Sequence, residues 1–258
     1  MDNQIYVSIF WTGGYDSTFR VCQLSRKNVI ITPYYLSDNR ASEQMELKAI
    51  DLIRDKLINN PNTIATINPL QYVSKDSRKT DDRITQAFNK LLKQDFMGSQ
   101  YEWLGVFALE HQGIELSIHK DDKAIALINK HGALKLQEDE YGTYYVVDTS
   151  KSSQELITLF GNQRFPLADY TKVQMKQEYI SMGLADIIDD TWFCHTPIDG
   201  KPCGICNPCR YTIEEGMPER FSKEALMRYK RQNSAFYKCL RKTKNVLRAI
   251  KNRMKNTR

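Results

Sequence analysis

Two short stretches of this chain concentrate residue types that do chemistry. The first is Trp11-Thr12-Gly13-Gly14-Tyr15-Asp16-Ser17-Thr18, directly behind the apolar run IYVSIF. Adjacent glycines let a backbone approach an anion with no Cβ in the way. Ser17 and Thr18 add hydroxyl donors, and Asp16 is placed to hold a magnesium ion or to orient the turn. A turn that leaves a strand and enters a helix also offers unpaired N–H groups at the positive end of the helix dipole, and phosphate is the natural guest. The spacing is neither that of a Walker A loop nor G-x-G-x-x-G. A plain tight turn between strand and helix is the competing reading of the two glycines.

The second stretch holds Cys194, Cys203, Cys206 and Cys209 within sixteen residues, a C-x8-C-x2-C-x2-C pattern with Gly204 and Pro208 suited to tight turns. Four thiolates so close in sequence point to a closed tetrahedral Zn²⁺ site, with no open position for chemistry and hence a structural role. An iron–sulfur cluster and a redox-active C-x-x-C pair use the same residues and remain alternatives. The clustering speaks for a metal in a reducing compartment rather than a disulfide framework, and the outlying Cys22 and Cys239 read as ordinary thiols.

The elements that must position these residues follow from periodicity. Strands over 4–11 and 28–36 flank a helix over 16–27, and a helix with Ser42 as N-cap carries Met45, Leu47, Ile50, Leu52, Ile53 and Leu57 at helical spacing. A third strand is expected over 63–67, two helices broken near Gly98 over 81–112, and a fourth strand over 113–119. An inserted hairpin turns at Tyr141-Gly142, and two helices follow, the second capped by Thr171. Alternating strands and helices predict an α/β, Rossmann-like fold, a mainly parallel sheet with helices on both faces. The expected division is an ATP-binding domain over 1–217, cysteine loop included, and a basic helical extension over 218–258.

Composition adds two constraints. The chain of 258 residues has no long apolar run and no charged-then-apolar leader, which predicts a soluble, unexported, cytoplasmic protein. The net charge of +6 is unevenly placed: residues 219–258 hold 14 Lys or Arg against 2 Glu, leaving 23 basic against 29 acidic residues in the rest. Such a tail suits nucleic-acid phosphates, an acidic partner or the acidic body of a second copy in a homodimer; a helix packed by its apolar stripe with charges in solvent is the alternative.

The first motif resembles the [ST]-G-G-x-D-S signature of the PP-loop ATP pyrophosphatases. Together with the cysteine pattern, and with FPLADYTKVQM and DDTWFC upstream of it, the chain is similar to the 7-cyano-7-deazaguanine synthase family over about residues 5–20 and 164–217. The resemblance implies an ATP-dependent carbon–nitrogen ligase with ATP, Mg²⁺ and Zn²⁺. ATP converts a small-molecule carboxylate to an acyl adenylate, ammonia displaces AMP, and a second activation of the amide yields the nitrile preQ0. Residues 11–18 would hold the nucleotide, Asp16 and Ser17 would serve catalysis, and Lys172, in the family's Thr-Lys motif, would add a phosphate contact or stand solvated on its helix.

The middle of the chain departs from the family. YYLSDNRASE stands where a Tyr-Gly-Gln-Arg-His run belongs, MGSQYEWL replaces a Pro-Gly-Arg-Asn segment, a Tyr-Pro-Asp-Cys-Arg segment has no counterpart, and Phe193-Cys194-His195 replaces Ser-Cys-Tyr. A changed acceptor is therefore expected, with a protein or RNA acceptor as the second reading and a non-enzymatic ATP- and zinc-binding module as the third. Asp38, Glu46 and Asp169 are further candidates to hold Mg²⁺.

Overall fold

The computed structural model describes residues 5–234. The chain divides into two compact units, the first ending at Trp192 and the second beginning at Phe193. The cysteine loop therefore groups with the residues that follow it, where the sequence reading had grouped it with the body.

The first unit runs β1 (Ile5–Phe10), α1 (Tyr15–Ser25), β2 (Val29–Leu36), α2 (Glu43–Ile58), β3 (Thr66–Ile67), β4 (Gln71–Val73), α3 (Asp82–Gln94), α4 (Gln100–Glu110), β5 (Ile114–Glu115), α5 (Lys123–His131), β6 (Leu134–Asp139), β7 (Gly142–Val147), α6 (Gln154–Phe160), β8 (Gln163–Arg164), α7 (Lys172–Ser181) and α8 (Ile187–Asp190). Its sheet is parallel throughout, in the order β3-β2-β1-β5-β8, with β4 pairing further along β2. β1 and β2 pair from Ile5↔Val29 to Phe10↔Tyr34. Chain order reverses between β1 and β5, and in an open parallel sheet the crevice beyond the strand ends at such a reversal is where ligands bind.

Strand alternation builds two cores. Val7 and Ile9 of β1 pack with Phe19 and Leu24 of α1, Ile50, Ile53 and Leu57 of α2 and Met175 and Tyr179 of α7. Phe10, the next residue, faces the other way, into Ile84 and Phe88 of α3, Leu104 of α4, Ile125 of α5 and Leu156 of α6. The apolar stripe of α3 starts cleanly because Asp81 accepts from the N–H groups of Arg83 and Ile84. α7 begins on a reciprocal capping box between Thr171 and Gln174.

Several boundaries differ from the sequence expectation. β3 covers only Thr66–Ile67, because the N–H groups of Ile64 and Ala65 both turn to Ser25 O. β5 stops at Glu115, because Ile118 N–H turns back to Leu116 O. α5 and β8 fall where no element was expected. Ser42 sits at the N-cap of α2 without capping it; its hydroxyl donates to Glu46 instead, at 2.6 Å, and Leu52 lies on the exposed face. β6 and β7 form the expected antiparallel hairpin.

In the second unit α9 (Asn207–Glu214) leaves the cysteine loop and α10 (Lys223–Asn233) follows. Residues 235–258, with Cys239 and most of the basic tail, lie outside the described residues. No helix among the described residues is long and apolar enough to cross a membrane.

Candidate functional site: the turn after β1 and the cysteine loop

β1 delivers the chain into a turn whose shape depends on glycine. Gly13 has φ of +68°, and a Cβ there would meet Glu46 O at 2.9 Å and the side chains of Ile50 and Ala49. The turn is thus pressed against α2, and only glycine fits both the backbone angle and the space. Gly13 O accepts from Trp192 N–H at 2.8 Å, which pins it from a second direction. Gly14 is the N-cap of α1 and supplies no side-chain cap to the first turn of the helix. Ser17 Oγ lies 3.4 Å from both the amide and the hydroxyl of Thr12.

Not every residue of the motif reaches this face. Trp11 and Thr18 are fully buried, and the indole N–H donates to the threonine hydroxyl at 3.0 Å, so their side chains brace the turn from behind. Thr12, Gly14, Tyr15, Asp16 and Ser17 instead line a cavity of about 220 Å3 at the carboxyl ends of β1, β2 and β5. The other walls include Tyr34 and Tyr35 at the end of β2, Arg40 beyond it, Leu116, Ser117 and Ile118 after β5, and Gln100, Tyr101 and Trp103 of α4. The segment MGSQYEWL, singled out as the altered acceptor region, therefore supplies one wall. The hairpin β6–β7 supplies none of the residues lining it. Lys172 is exposed at the first position of α7 and is not among the lining residues either.

The carboxylates considered for Mg²⁺ separate clearly. Glu46 is buried and accepts from Tyr35 Oη at 2.7 Å and Ser42 Oγ at 2.6 Å, with Arg40 at 3.8 Å. Asp38 accepts from Arg40 Nε at 2.6 Å, and Asp169 accepts from the Tyr145 hydroxyl. Burial opposes the charge on Arg40, but the hydrogen bond to Asp38 and the field of Glu46 outweigh it and raise its pKa. Burial together with Glu46 also pushes the Tyr35 phenol up. Asp16, on the first turn of α1, is the member of the set that lines the cavity.

Sequence reasoning missed His119, whose Nδ1 lies 3.5 Å from Asp16 Oδ2, and Ser117 beside it. Both had been read as part of a strand over 113–119. It also missed Arg78, stacked 3.9 Å over the Trp103 ring, and the buried bidentate pair of Arg20 and Glu115, at 2.8 and 2.7 Å, which ties α1 to β5. Charged residues inside an apolar run were the available signal for that pair.

In the second unit the four cysteines converge as their spacing suggested. Their sulfurs all lie within 4.8 Å of one another, with Cys203–Cys209 at 3.8 Å and Cys194–Cys206 at 3.9 Å. A tetrahedral ion with Zn–S bonds of about 2.3 Å places its sulfurs about 3.8 Å apart, so the group could hold a metal ion such as zinc. Backbone N–H groups of Ile205 and Cys206 and the Thr196 hydroxyl point to Cys203 Sγ at 3.3–3.4 Å, donors that stabilise thiolate. A hydrogen bond from Cys206 pushes the Cys194 thiol up. The loop is closed from outside by α10. Arg228 Nε donates to Cys203 O at 2.9 Å, and Gly204, at φ of +79°, sits where a Cβ would lie 2.2 Å from Ala225 O.

No protein-family model matches the chain, and no curated protein matches it.

Proposed function

We propose that this protein is an ATP-dependent, adenylate-forming carbon–nitrogen ligase resembling the 7-cyano-7-deazaguanine synthases, with an acceptor pocket of its own. The observation that carries the reading is the glycine turn at the start of α1, shaped by Gly13 and Gly14, whose residues line a cavity at the reversal of a parallel sheet. The strand order, two parallel wings growing from β1, supports a Rossmann-like arrangement, and ligands of such sheets bind at this place.

In this reading the N-terminus of α1 and the hydroxyls of Thr12 and Ser17 bind the pyrophosphate portion of ATP. Asp16 would hold Mg²⁺, which supplies neutralising charge to the phosphates when bound. The acceptor carboxylate attacks the α-phosphorus, pyrophosphate leaves, and the acyl adenylate forms. Ammonia then attacks the acyl carbon and AMP leaves with the bonding electron pair, giving the amide; a second adenylation, on the amide oxygen, allows loss of AMP and a proton to give the nitrile. The acceptor lies against Tyr34, Tyr101 and Trp103, with Arg40 at the polar end. Lys172 is given no step. The cysteine group is read as structural zinc, because sulfurs this close enclose one ion, whereas a cluster with its own sulfides spreads its thiolates further apart.

The test is mass spectrometry of the zinc-loaded protein with Mg-ATP, ammonium and 7-carboxy-7-deazaguanine, beside an Asp16→Ala control. Amide or nitrile that appears with AMP and vanishes in the control supports the reading. ATP bound with neither product moves the search to protein and RNA acceptors, which the basic tail would suit. Absence of ATP binding sinks it.

A further inference from the structure

The wall opposite the first turn of α1 is the chain that leaves β5, and it is held stiffly. Leu116 N–H donates to Arg164 O at 2.9 Å, Ile118 N–H to Leu116 O at 2.9 Å, Lys120 N–H to Tyr170 O at 3.0 Å, and Asp122 N–H to His119 O at 2.9 Å. The side chains of Ser117 and His119, two residues apart in this braced segment, are therefore fixed in place. The Ser117 hydroxyl and His119 Nδ1 are both enclosed, and neither makes a hydrogen bond among the described residues. His119 has a side chain only 12% exposed, and its Nδ1 stands 3.5 Å from Asp16 Oδ2, beyond hydrogen-bonding distance. An enclosed polar atom without a hydrogen bond costs on the order of 1–3 kcal/mol, so the Ser117 hydroxyl, and His119 Nδ1 with only the Asp16 carboxylate at ion-pair range, call for a ligand that bonds to them.

What that ligand presents follows from the neighbours. Ser117 lines the same cavity as Thr12, Gly14 and Ser17, and His119 adjoins the second residue of α1. An anion seated on the first N–H groups of that helix therefore lies about one side-chain length from the imidazole. A hydroxyl and an imidazole N–H are both hydrogen-bond donors, matched to phosphate oxygens.

We propose that Ser117 and His119 form the second wall of the phosphate site, donating to phosphate oxygen of the bound nucleotide from the side opposite the N-terminus of α1. This assignment rests on the ATP reading above. It makes the site two-sided, with backbone N–H groups from the turn after β1 and side-chain donors from the segment after β5.

The experiment measures two quantities on the full chain and on Ser117→Ala, His119→Ala and His119→Asn: the affinity for Mg-ATP by calorimetry, and the melting temperature without ligand. Each alanine variant is expected to bind Mg-ATP about tenfold more weakly, the worth of one hydrogen bond to a charged group. Each is also expected to melt at the same temperature or higher without ligand, because an unsatisfied polar atom has been removed. His119→Asn, which keeps a donor near Nδ1, should recover most of the affinity. Wild-type affinity in both alanine variants overturns the assignment and leaves the ATP reading standing. A fall in melting temperature parallel to the loss of affinity overturns it as well, because it marks a structural role. A parent protein that does not bind Mg-ATP defeats the ATP reading itself.

Discussion

The turn after β1 and the cysteine loop are both built around glycine, yet they are assembled in opposite ways. The turn is shaped by residues distant in sequence: Ala49 and Ile50 of α2 press on Gly13, Trp192 N–H holds its carbonyl, and Trp11 bonds to Thr18 behind it. Nothing but protein is needed to give it form. The cysteine loop draws all four sulfurs from sixteen residues and brings them within 4.8 Å of one another. The turn is thus braced by the core around it, whereas the four sulfurs are grouped in a way that a metal ion such as zinc could hold.

That contrast breaks most visibly on metal removal. Structural zinc in small domains contributes apparent binding energies of about 10–16 kcal/mol, so chelation should unfold the second unit. Hydrogen exchange should then show loss of protection in α9 and α10, with β1 and β2 still protected; protected α9 amides in metal-free protein would refute the dependence.

The next largest effect belongs to the first unit. Arg20→Ala strands the fully buried Glu115, and breaking a buried pair from one side costs roughly 3–5 kcal/mol. Chemical denaturation should register that loss in the first unit, and a change below about 1 kcal/mol would show that the pair is not a brace.

Gly13→Ala sharpens the comparison at the turn itself. The left-handed backbone alone costs about 1–2 kcal/mol for a residue with a Cβ, and the contact with Glu46 O adds to it. We expect lower stability together with weakened Mg-ATP binding, read by unfolding and calorimetry. Binding that survives at full strength would mean that the phosphate does not sit on this turn.

The smallest effect is at α7. Thr171→Ala removes the capping box and should cost about 1 kcal/mol by denaturant titration, without altering metal content.

How far the sequence disclosed this arrangement depends on how local each feature is. The β1 turn, the cysteine group, the hairpin and the Thr171 cap are each contained in a few consecutive residues, and all were readable. The end of β5 was not, because Leu116 and Ile118 are as apolar as strand residues and only the backbone bond between them shows that the strand has stopped. Ser117 and His119 were hidden with it. Glu46 was a candidate to hold Mg²⁺, and its burial against Tyr35 and Ser42 becomes visible only in the packing. The buried pair of Arg20 and Glu115 spans strand order, which sequence periodicity does not encode. Trp11 and Thr18 belong to the motif by position but serve it from behind, a distinction visible only once their bond is seen.

The two sides of the cavity rest on different foundations. Gly13 and the turn around it lean on the core that joins α1 and α2, whereas Tyr101 and Leu104 of α4 are members of the other core, across the sheet. The apolar neighbours of α4 are therefore those of α3, α5 and α6 and not the residues that brace the turn. Under the proposed function, the turn that would hold the nucleotide and the α4 wall that would face the acceptor answer to separate cores, so the second could change while the first is kept.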